Sequence, residues 1–429
     1  MRFPTRHDLD VTPDHPVAFD GSYVWGANSL ALKISGITHD TPNPPGGEIV
    51  KGPDGEPNGI LRNASQLLKG VARSETFSAE DKVPALAKML QLYAAAGLTA
   101  VGDRAVTPAG VAVYEKLKSR QQLPVRVILT WRINAARSVE QVVSEIQASS
   151  WTNQGDDWLR FGTFKVTLDG GQSVGTAYQR MSYGAFGRQF YGQTDPDSRG
   201  TLFIDSEKLY RIMRAARNRA WQLTAHVQGG GAVDTLLDVF QRLDREKPIA
   251  PSRSHVMHGS LMSEDALNRM QRMGVIVDVQ PGWLYFDVPA LKWVFGLENM
   301  RYFFPLRSHI DRGIIAAGGS DHMIGHDKNE AVNPFNPFFN MWASITRRTR
   351  EGEVIYAQEK ITRQEALKMW TIWAAYLQFG EKTRGSLEAG KFADLVVIDR
   401  DFLGCAEDDI RRIEPLATIV NGRVVWGRL

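Results

Sequence analysis

The sequence has a single cysteine, Cys405, among its 429 residues. One thiol excludes an intramolecular disulfide and a cysteine-based metal cluster, so any metal site must use His, carboxylate or Lys ligands. A surplus of one charge is also lacking, since 51 Lys and Arg residues face 48 Asp and Glu residues. The near balance gives no reason to expect a nucleic acid or a membrane surface as partner.

Long apolar runs are absent too, because no window reaches the roughly 18 residues of a membrane span. Residues 1 to 17 are polar and contain proline, without the apolar centre of a signal peptide. These features predict a cytoplasmic protein. Its expected partner is a small-molecule substrate, and the formation of a homo-oligomer is left open.

Seven short apolar runs alternate with helical stretches from residue 97 onward, which is typical of βα units in a parallel sheet. The runs are 97 to 103, 124 to 131, 160 to 171, 221 to 231, 254 to 259, 274 to 283 and 313 to 322. Cap residues bound the helices: one begins after Ser78, and another lies between Ser263 and Gly274. The pattern predicts a (β/α)₈ barrel that lacks one strand, although an open doubly wound sheet shows the same alternation.

The two ends of the chain do not show this alternation of strands and helices. We predict a barrel domain over residues 1 to 384, in which residues 1 to 70, rich in Pro and Gly, form a loop-rich excursion. Residues 385 to 429 are predicted to form a small β appendage, part of a β-sandwich. An Asn-Gly pair at Asn421 and Gly422 predicts a hairpin turn there.

Polar or glycine residues stand at the ends of nearly all the runs. In a barrel the carboxyl ends of parallel strands meet at one mouth, so these side chains would converge there, which favours an enzyme. The polar residues are Asp103, Lys165 with Asp169, His226, His258, Gln280 and Asp321.

The histidines have alternative interpretations. His226, followed by three glycines, either presents its imidazole to a cavity or is a core histidine bonded to a carbonyl. His255 and His258 are three residues apart, so on a regular strand they point to opposite faces. His258 is the candidate for the mouth, and we expect His255 to pack outside.

Lys165 and Asp321 are open to two readings as well. A lysine inside an apolar strand is costly to bury, so Lys165 either forms an ion pair with Asp169 or loses its charge and reacts with carbon dioxide. Asp321 either caps a following helix or binds a metal and accepts a proton from its water. Gln280, Trp283 and His322 are the candidates for substrate binding, and His322 also fits a loop position beside the site.

Several of these segments together resemble the amidohydrolase superfamily. The segments are GLTAVGD, FKVTLDGG, LTAHVQGGGAVD, HVMHGSLMSEDALNRMQRMGVIVDVQP, GGSDH and the C-terminal GSLEAGKFADLVVID. The resemblance is to the family-3 or YtcJ-like branch, which includes formamide deformylases and related imide, amide and carbamate hydrolases. It covers nearly the whole chain.

The resemblance implies a distorted (β/α)₈ barrel with a metal centre of one or two divalent ions, expected to be zinc. It assigns Lys165, often carboxylated in the family, together with His226, His258 and Asp321 as metal ligands. Asp321 is also the proton acceptor and therefore the catalytic residue.

The sequence departs from the family pattern at its first barrel strand. Family members have a His-x-His pair there, and none occurs in this sequence. The family often has Gly-His where this chain has Gly21 and Ser22, and it commonly has Glu where Met257 precedes His258. We therefore expect a metal-dependent hydrolase of a C–N bond in an amide, formamide or carbamate. The alternatives are a truncated or impaired homologue that binds ligand without turnover, and an open-sheet binding protein.

Overall fold

The computed structural model describes residues 2 to 71, 77 to 152 and 154 to 429. Near its start lie two short helices, α1 (Arg6–Leu9) and α2 (Ser29–Ser35), and an antiparallel sheet in the order β1-β2-β4-β3. The strands are β1 (Ala18–Gly21), β2 (Val24–Ala27), β3 (Glu48–Lys51) and β4 (Pro57–Arg62). The prediction of a loop-rich excursion missed this sheet, because such short strands between Pro and Gly turns show little periodicity.

The main sheet has seven strands in the order β11-β10-β9-β8-β7-β6-β5, and every neighbouring pair is parallel. The strands are β5 (Ala100–Val106), β6 (Arg126–Arg132), β7 (Leu159–Thr167), β8 (Gln222–Val227), β9 (His255–His258), β10 (Ile276–Val279) and β11 (Ala316–Gly318). All seven predicted strands are confirmed. The order follows the chain without the reversal that defines a doubly wound sheet, so that alternative is wrong.

Helices lie before, between and after these strands along the chain. They are α3 (Ala79–Ala95), α4 (Pro108–Ser119), α5 (Val139–Ala148), α6 (Gly184–Tyr191), α7 (Ser206–Asn218), α8 (Gly230–Glu246), α9 (Glu264–Met273), α10 (Gly282–Phe286), α11 (Val288–Phe295), α12 (Leu306–Asp311), α13 (Pro337–Thr346), α14 (Arg363–Trp370) and α15 (Ile372–Leu377). The predicted caps are present: Ser78 and Ser263 accept hydrogen bonds from the first turns of α3 and α9. Gly274 ends α9 with a φ of 64°, the left-handed conformation that glycine adopts easily.

Strand β7 shows how the sequence divides its side chains between two environments. Phe164 and Val166 are fully buried in the apolar core between the sheet and the helices. Transfer of each such side chain from water into the core contributes about 1.5–3 kcal/mol to the stability of the folded state. The alternate residues Thr163 and Lys165 therefore lie on the other, inner face of the sheet.

The sheet is strongly curved, as one ion pair across its inner face demonstrates. Arg104 on β5 and Asp278 on β10 are five strand spacings apart in the sheet order, about 24 Å if the sheet were flat. Their side chains nevertheless meet, with Arg104 Nη2 2.9 Å from Asp278 Oδ2. The inner face is thus the concave inside of a barrel-like sheet, as predicted.

A three-stranded antiparallel sheet follows at the carboxyl end, formed by β12 (Leu395–Ile398), β13 (Pro415–Val420) and β14 (Arg423–Gly427). The predicted hairpin joins β13 to β14, and both Asn421 and Gly422 have the positive φ of its turn. A buried ion pair between Arg126 and Asp394 joins this region to β6. Within the described residues, no helix has the length and apolar character needed to cross a membrane.

Candidate metal centre

His226 and His258 meet at the mouth of the curved sheet. His226 is near the carboxyl end of β8, and His258 is the last residue of the adjacent β9. Both side chains are buried, and His226 Nδ1 lies 2.9 Å from His258 Nε2. The structure therefore brings together the two histidines that the sequence singled out.

The other ring nitrogens of this pair identify where the protons are. His226 Nε2 lies 3.2 Å from the carbonyl oxygen of Gly170, and His258 Nδ1 lies 2.8 Å from Oε1 of Gln280. An oxygen of this kind only accepts, so both of these nitrogens carry the ring proton. The lone pairs of His226 Nδ1 and His258 Nε2 consequently face each other, and the Tyr23 hydroxyl lies 3.5 Å from His226 Nδ1.

The charge state of the two rings suits ligands. Burial, followed by the charge of Lys165, lowers the pKa of His226 to about 3. Burial also places the pKa of His258 well below its ordinary value. Both imidazoles are thus neutral near pH 7, the form in which histidine binds a metal.

Lys165 lies on the inner face of β7 and is almost completely buried. Burial lowers the pKa of its amine to about 8, and the charge of Asp321 opposes that shift. The ion pair with Asp169 expected as the alternative does not form. The Asp169 carboxylate instead accepts backbone N–H groups from Tyr178, Gln228 and Gly229.

Asp321 follows β11 at the same end of the sheet and has a φ of 53°. Burial raises the pKa of its carboxyl to about 6, while the charge of Lys165 acts in the opposite direction. The helix-cap alternative is wrong, because the next helix along the chain is α13, which has its own cap, Asn336. The backbone carbonyl of Asp321 is held by the side chain of Asn333 at 2.7 Å.

The three predicted substrate-binding residues have distinct surroundings. Trp283 stacks on the His258 ring at 5.2 Å and 21°, so it forms one wall beside the histidine pair. Gln280 is buried, and its amide contacts His258 and Asp278, which leaves it little capacity for a substrate. His322 contacts the Tyr93 hydroxyl at 2.8 Å and the carbonyl of Gly325 at 3.0 Å, so both of its ring nitrogens are engaged with protein.

The prediction that His255 packs outside the barrel is wrong. His255 is completely buried and its Nε2 accepts a hydrogen bond from Arg104 on the inner face. His258 has a φ of 71°, so the regular alternation of the strand ends there and both histidines turn inward. Sequence periodicity could not reveal this turn, because it depends on one backbone angle.

Arg104 and Asp278 belong to the site but were not predicted from the sequence. Arg104 also donates to Thr130 at 3.1 Å, and Gln280 Nε2 donates to Asp278 Oδ1 at 3.1 Å. One feature of the sequence could have identified this ion pair: Asp278 is a charged residue inside the apolar run VIVDV. A buried charge is costly unless it is paired, so a partner such as Arg104 was to be expected.

The histidine pair can supply two nitrogen ligands to a divalent metal, because the ring nitrogens left without a proton by the outer contacts, His226 Nδ1 and His258 Nε2, lie only 2.9 Å apart. Within residues 2 to 71, 77 to 152 and 154 to 429, however, no group of three or more His, Cys, Asp or Glu side chains is arranged to hold a metal. Asp321 therefore does not complete a three-ligand set with the two histidines.

One further pattern points to a different chemistry. Residues 171 to 175 read Gly-Gln-Ser-Val-Gly, the spacing of a serine nucleophile that stands between a strand and a helix. In the structure these residues form a turn, and no helix begins within it or directly after it. Since the structural context of the pattern is absent, a serine nucleophile at Ser173 is not supported.

Comparison with known proteins identifies relatives over the full length of the chain. The model of the amidohydrolase family matches residues 1 to 426. N-substituted formamide deformylase of Arthrobacter pascens is 29% identical over 439 residues, covering 100% of this chain and 77% of that protein. YtcJ of Bacillus subtilis (strain 168), which is named as an amidohydrolase, is 27% identical over 435 residues, covering 98% and 76%.

A solved structure shows the same fold. A metal-dependent hydrolase from Pyrococcus horikoshii OT3 superposes with a TM-score of 0.68 at 20% identity, covering 95% of this chain and 76% of that chain. The resemblance to YtcJ-like amidohydrolases and the barrel-type fold predicted from the sequence are both confirmed.

Proposed function

The chain belongs to the amidohydrolase family, and from this premise we propose that it hydrolyses a C–N bond in an amide, formamide or carbamate. Members of this family are metal-dependent hydrolases. The observation that carries the proposal is the pairing of His226 Nδ1 with His258 Nε2 at 2.9 Å, because the other nitrogen of each ring faces an oxygen and the pair can therefore offer two ligand nitrogens at the mouth of the barrel.

Zinc, as one or two ions, is the metal we propose for this position, with His226 and His258 as the nitrogen ligands. When bound, it supplies Lewis-acid polarisation of the substrate carbonyl and a more acidic water. Neutral imidazoles suit zinc, and the lowered pKa values of both rings keep them neutral.

Lys165 is proposed to complete the ligand set as a carbamate. Its amine, with a pKa of about 8, is partly uncharged near neutrality. The neutral amine adds to carbon dioxide, forming an N–C bond and releasing one proton, and so becomes an anionic oxygen donor. This change also relieves the cost of burying an ammonium group without an ion pair.

Asp321 is proposed as the proton carrier. Its carboxyl has a pKa of about 6, so it can both take and release a proton near neutral pH. It takes the proton of the attacking water and gives it to the departing amine nitrogen. Trp283, stacked on His258, limits the space beside the reacting group.

Hydrolysis of a panel of N-substituted formamides, amides and carbamates tests the proposal, with the metal content of the purified protein measured in parallel. We expect activity to be lost on chelation and restored by zinc. The Asp321→Asn variant should retain metal and lose about 10²–10⁴-fold in kcat. Undiminished hydrolysis by metal-free protein would contradict the mechanism.

A second candidate is a homologue that binds its ligand without turnover. It is favoured by the absence of a His-x-His pair from the sequence and of a three-residue His, Cys, Asp or Glu group from the described part of the chain. Calorimetric titration with the same panel distinguishes the two functions. Saturable binding to the zinc-loaded protein without product would favour the second.

A further inference from the structure

Gln280 connects the ligand histidine His258 to a charged group deeper in the barrel. Its Oε1 lies 2.8 Å from His258 Nδ1, and its Nε2 lies 3.1 Å from Asp278 Oδ1. Asp278 and Gln280 are two residues apart at the end of β10, so both point to the inner face. The second oxygen of Asp278 is 2.9 Å from Arg104 Nη2.

A chain of hydrogen-bonded groups, called the relay below, thus runs through Arg104, Asp278, Gln280 and His258. The orientation of each group in the relay follows from that of the group before it. Arg104 only donates, and both oxygens of an ionised Asp278 only accept. Gln280 must therefore present its NH₂ group to Asp278 and its carbonyl oxygen to His258. Because that oxygen only accepts, the ring proton of His258 is held on Nδ1.

Arg104 is itself fixed by two further contacts on the inner face. Its Nη1 donates to the Thr130 hydroxyl at 3.1 Å, and its Nη2 donates to His255 Nε2. The start of the relay is thus anchored to β6 and β9 as well as β10. The side chains of Asp278, Gln280, Thr130 and His255 are buried, so these contacts are made away from water, where a polar contact is stronger than at the surface.

We propose that Asp278 and Gln280 are positioning residues that hold the proton of His258 on Nδ1 and so keep a lone pair on Nε2 for a metal. The relay itself does not depend on the proposed function; only its effect on zinc affinity rests on that proposal. Outer hydrogen bonds to ligand histidines commonly change metal affinity by about 10–100-fold.

The Asp278→Asn variant gives an unusual expected result. Arg104 still needs an oxygen, so the new amide turns its oxygen toward Arg104 and its NH₂ group toward Gln280. The Gln280 amide then rotates, because its carbonyl must now accept from residue 278. Its NH₂ group faces His258 Nδ1, which has to become the acceptor, and the ring proton moves to Nε2.

Nitrogen-15 NMR of the full chain, labelled at histidine and freed of metal by chelation, measures this proton directly. The His258 signals are assigned as those lost in His258→Gln. We expect the proton on Nδ1 in the wild type and on Nε2 in Asp278→Asn, together with an approximately 10–100-fold loss of zinc affinity. Asp234→Asn is the matched control, since Asp234 forms a two-bond pair with Arg180; it should leave both measurements unchanged.

Two variants of Gln280 keep the test decisive if Asp278→Asn does not fold. Gln280→Glu retains an oxygen for His258 and should keep the ring proton on Nδ1. Gln280→Met removes this acceptor, so the proton of His258 should no longer be held on Nδ1. An unchanged Nδ1 proton in folded Asp278→Asn or in Gln280→Met would overturn the proposal. Movement of the proton in a protein whose wild type binds no zinc would support the relay and contradict the proposed function instead.

Discussion

The lone pairs of His226 Nδ1 and His258 Nε2 face each other across 2.9 Å, because the second nitrogen of each ring donates to an oxygen. Both nitrogens should therefore be needed to hold a metal. We expect His226→Ala and His258→Ala each to lower zinc affinity more than about 100-fold, beyond the usual effect of outer contacts.

Competition with a chromophoric chelator measures these affinities. His326→Ala is the control, because His326 is exposed in the loop after Asp321. Equal zinc affinity in the wild type and the two barrel variants would show that the metal binds elsewhere.

Replacing Lys165 by Met should separate stability from function. The lysine amine is buried at a cost that lowers its pKa to about 8, and methionine fills similar space without a charge. In metal-free protein we expect the free energy of unfolding to rise by about 1–3 kcal/mol, together with a loss of zinc-dependent hydrolysis. Urea denaturation measures the first effect, and the exposed Lys88→Met variant on α3 is its control. A less stable Lys165→Met protein would mean that Lys165 has a stabilising partner.

The Arg126–Asp394 ion pair should be important for stability. It is a two-bond pair at 2.6 and 3.0 Å, and the exposed fractions of its side chains are 1% and 3%. Asp394→Ala leaves the Arg126 guanidinium buried without a counter-charge, so we expect the free energy of unfolding to fall by about 3–5 kcal/mol. The exposed Glu80→Ala change, which breaks pairs with Lys116 and Arg120, should cost less than about 1 kcal/mol. Equal shifts of the urea midpoint in the two variants would argue against this difference.

Asp287 should make the protein less stable as the pH rises. Burial raises the pKa of its carboxyl from 3.8 to about 7 in the folded chain. Between these values the folded state binds the proton more readily than the unfolded state, so stability falls from about pH 4 to about pH 7 and stays lower above.

The Asp287→Asn variant removes that dependence. Urea denaturation at two pH values measures the difference in the free energy of unfolding between this variant and the wild type. We expect that difference to favour the variant by about 2–3 kcal/mol more at pH 8 than at pH 5. Asp14→Asn at an exposed position serves as the control. A parallel pH response in Asp287→Asn and the wild type would contradict the assignment.

Much of the barrel could be predicted because its signals are local. The seven parallel strands, the Ser78 and Ser263 caps and the Asn421-Gly422 hairpin each depend on neighbouring residues. The antiparallel sheet of β1 to β4 escaped prediction because its strands pair across turns of varied length and carry few alternating residues.

The site was predicted less completely than the fold. Lys165, His226 and His258 lie on the neighbouring strands β7, β8 and β9, and Asp321 follows β11 at the same end of the sheet. The roles of all four residues stay predictions. The inward turn of His255 and the contact of Arg104 with Asp278 depend on one backbone angle and on sheet curvature. Neither is a property of a short stretch of sequence.

The contact between Arg104 and His255 joins residues 151 positions apart in the chain. It cannot form until β5 and β9 have both entered the sheet, since loop closure precedes the gain from long-range contacts. The relay that orients His258 begins at Arg104, so a correctly oriented metal ligand should appear only late during refolding. The onset of metal binding is therefore expected to mark the end of barrel assembly, after helix formation is complete.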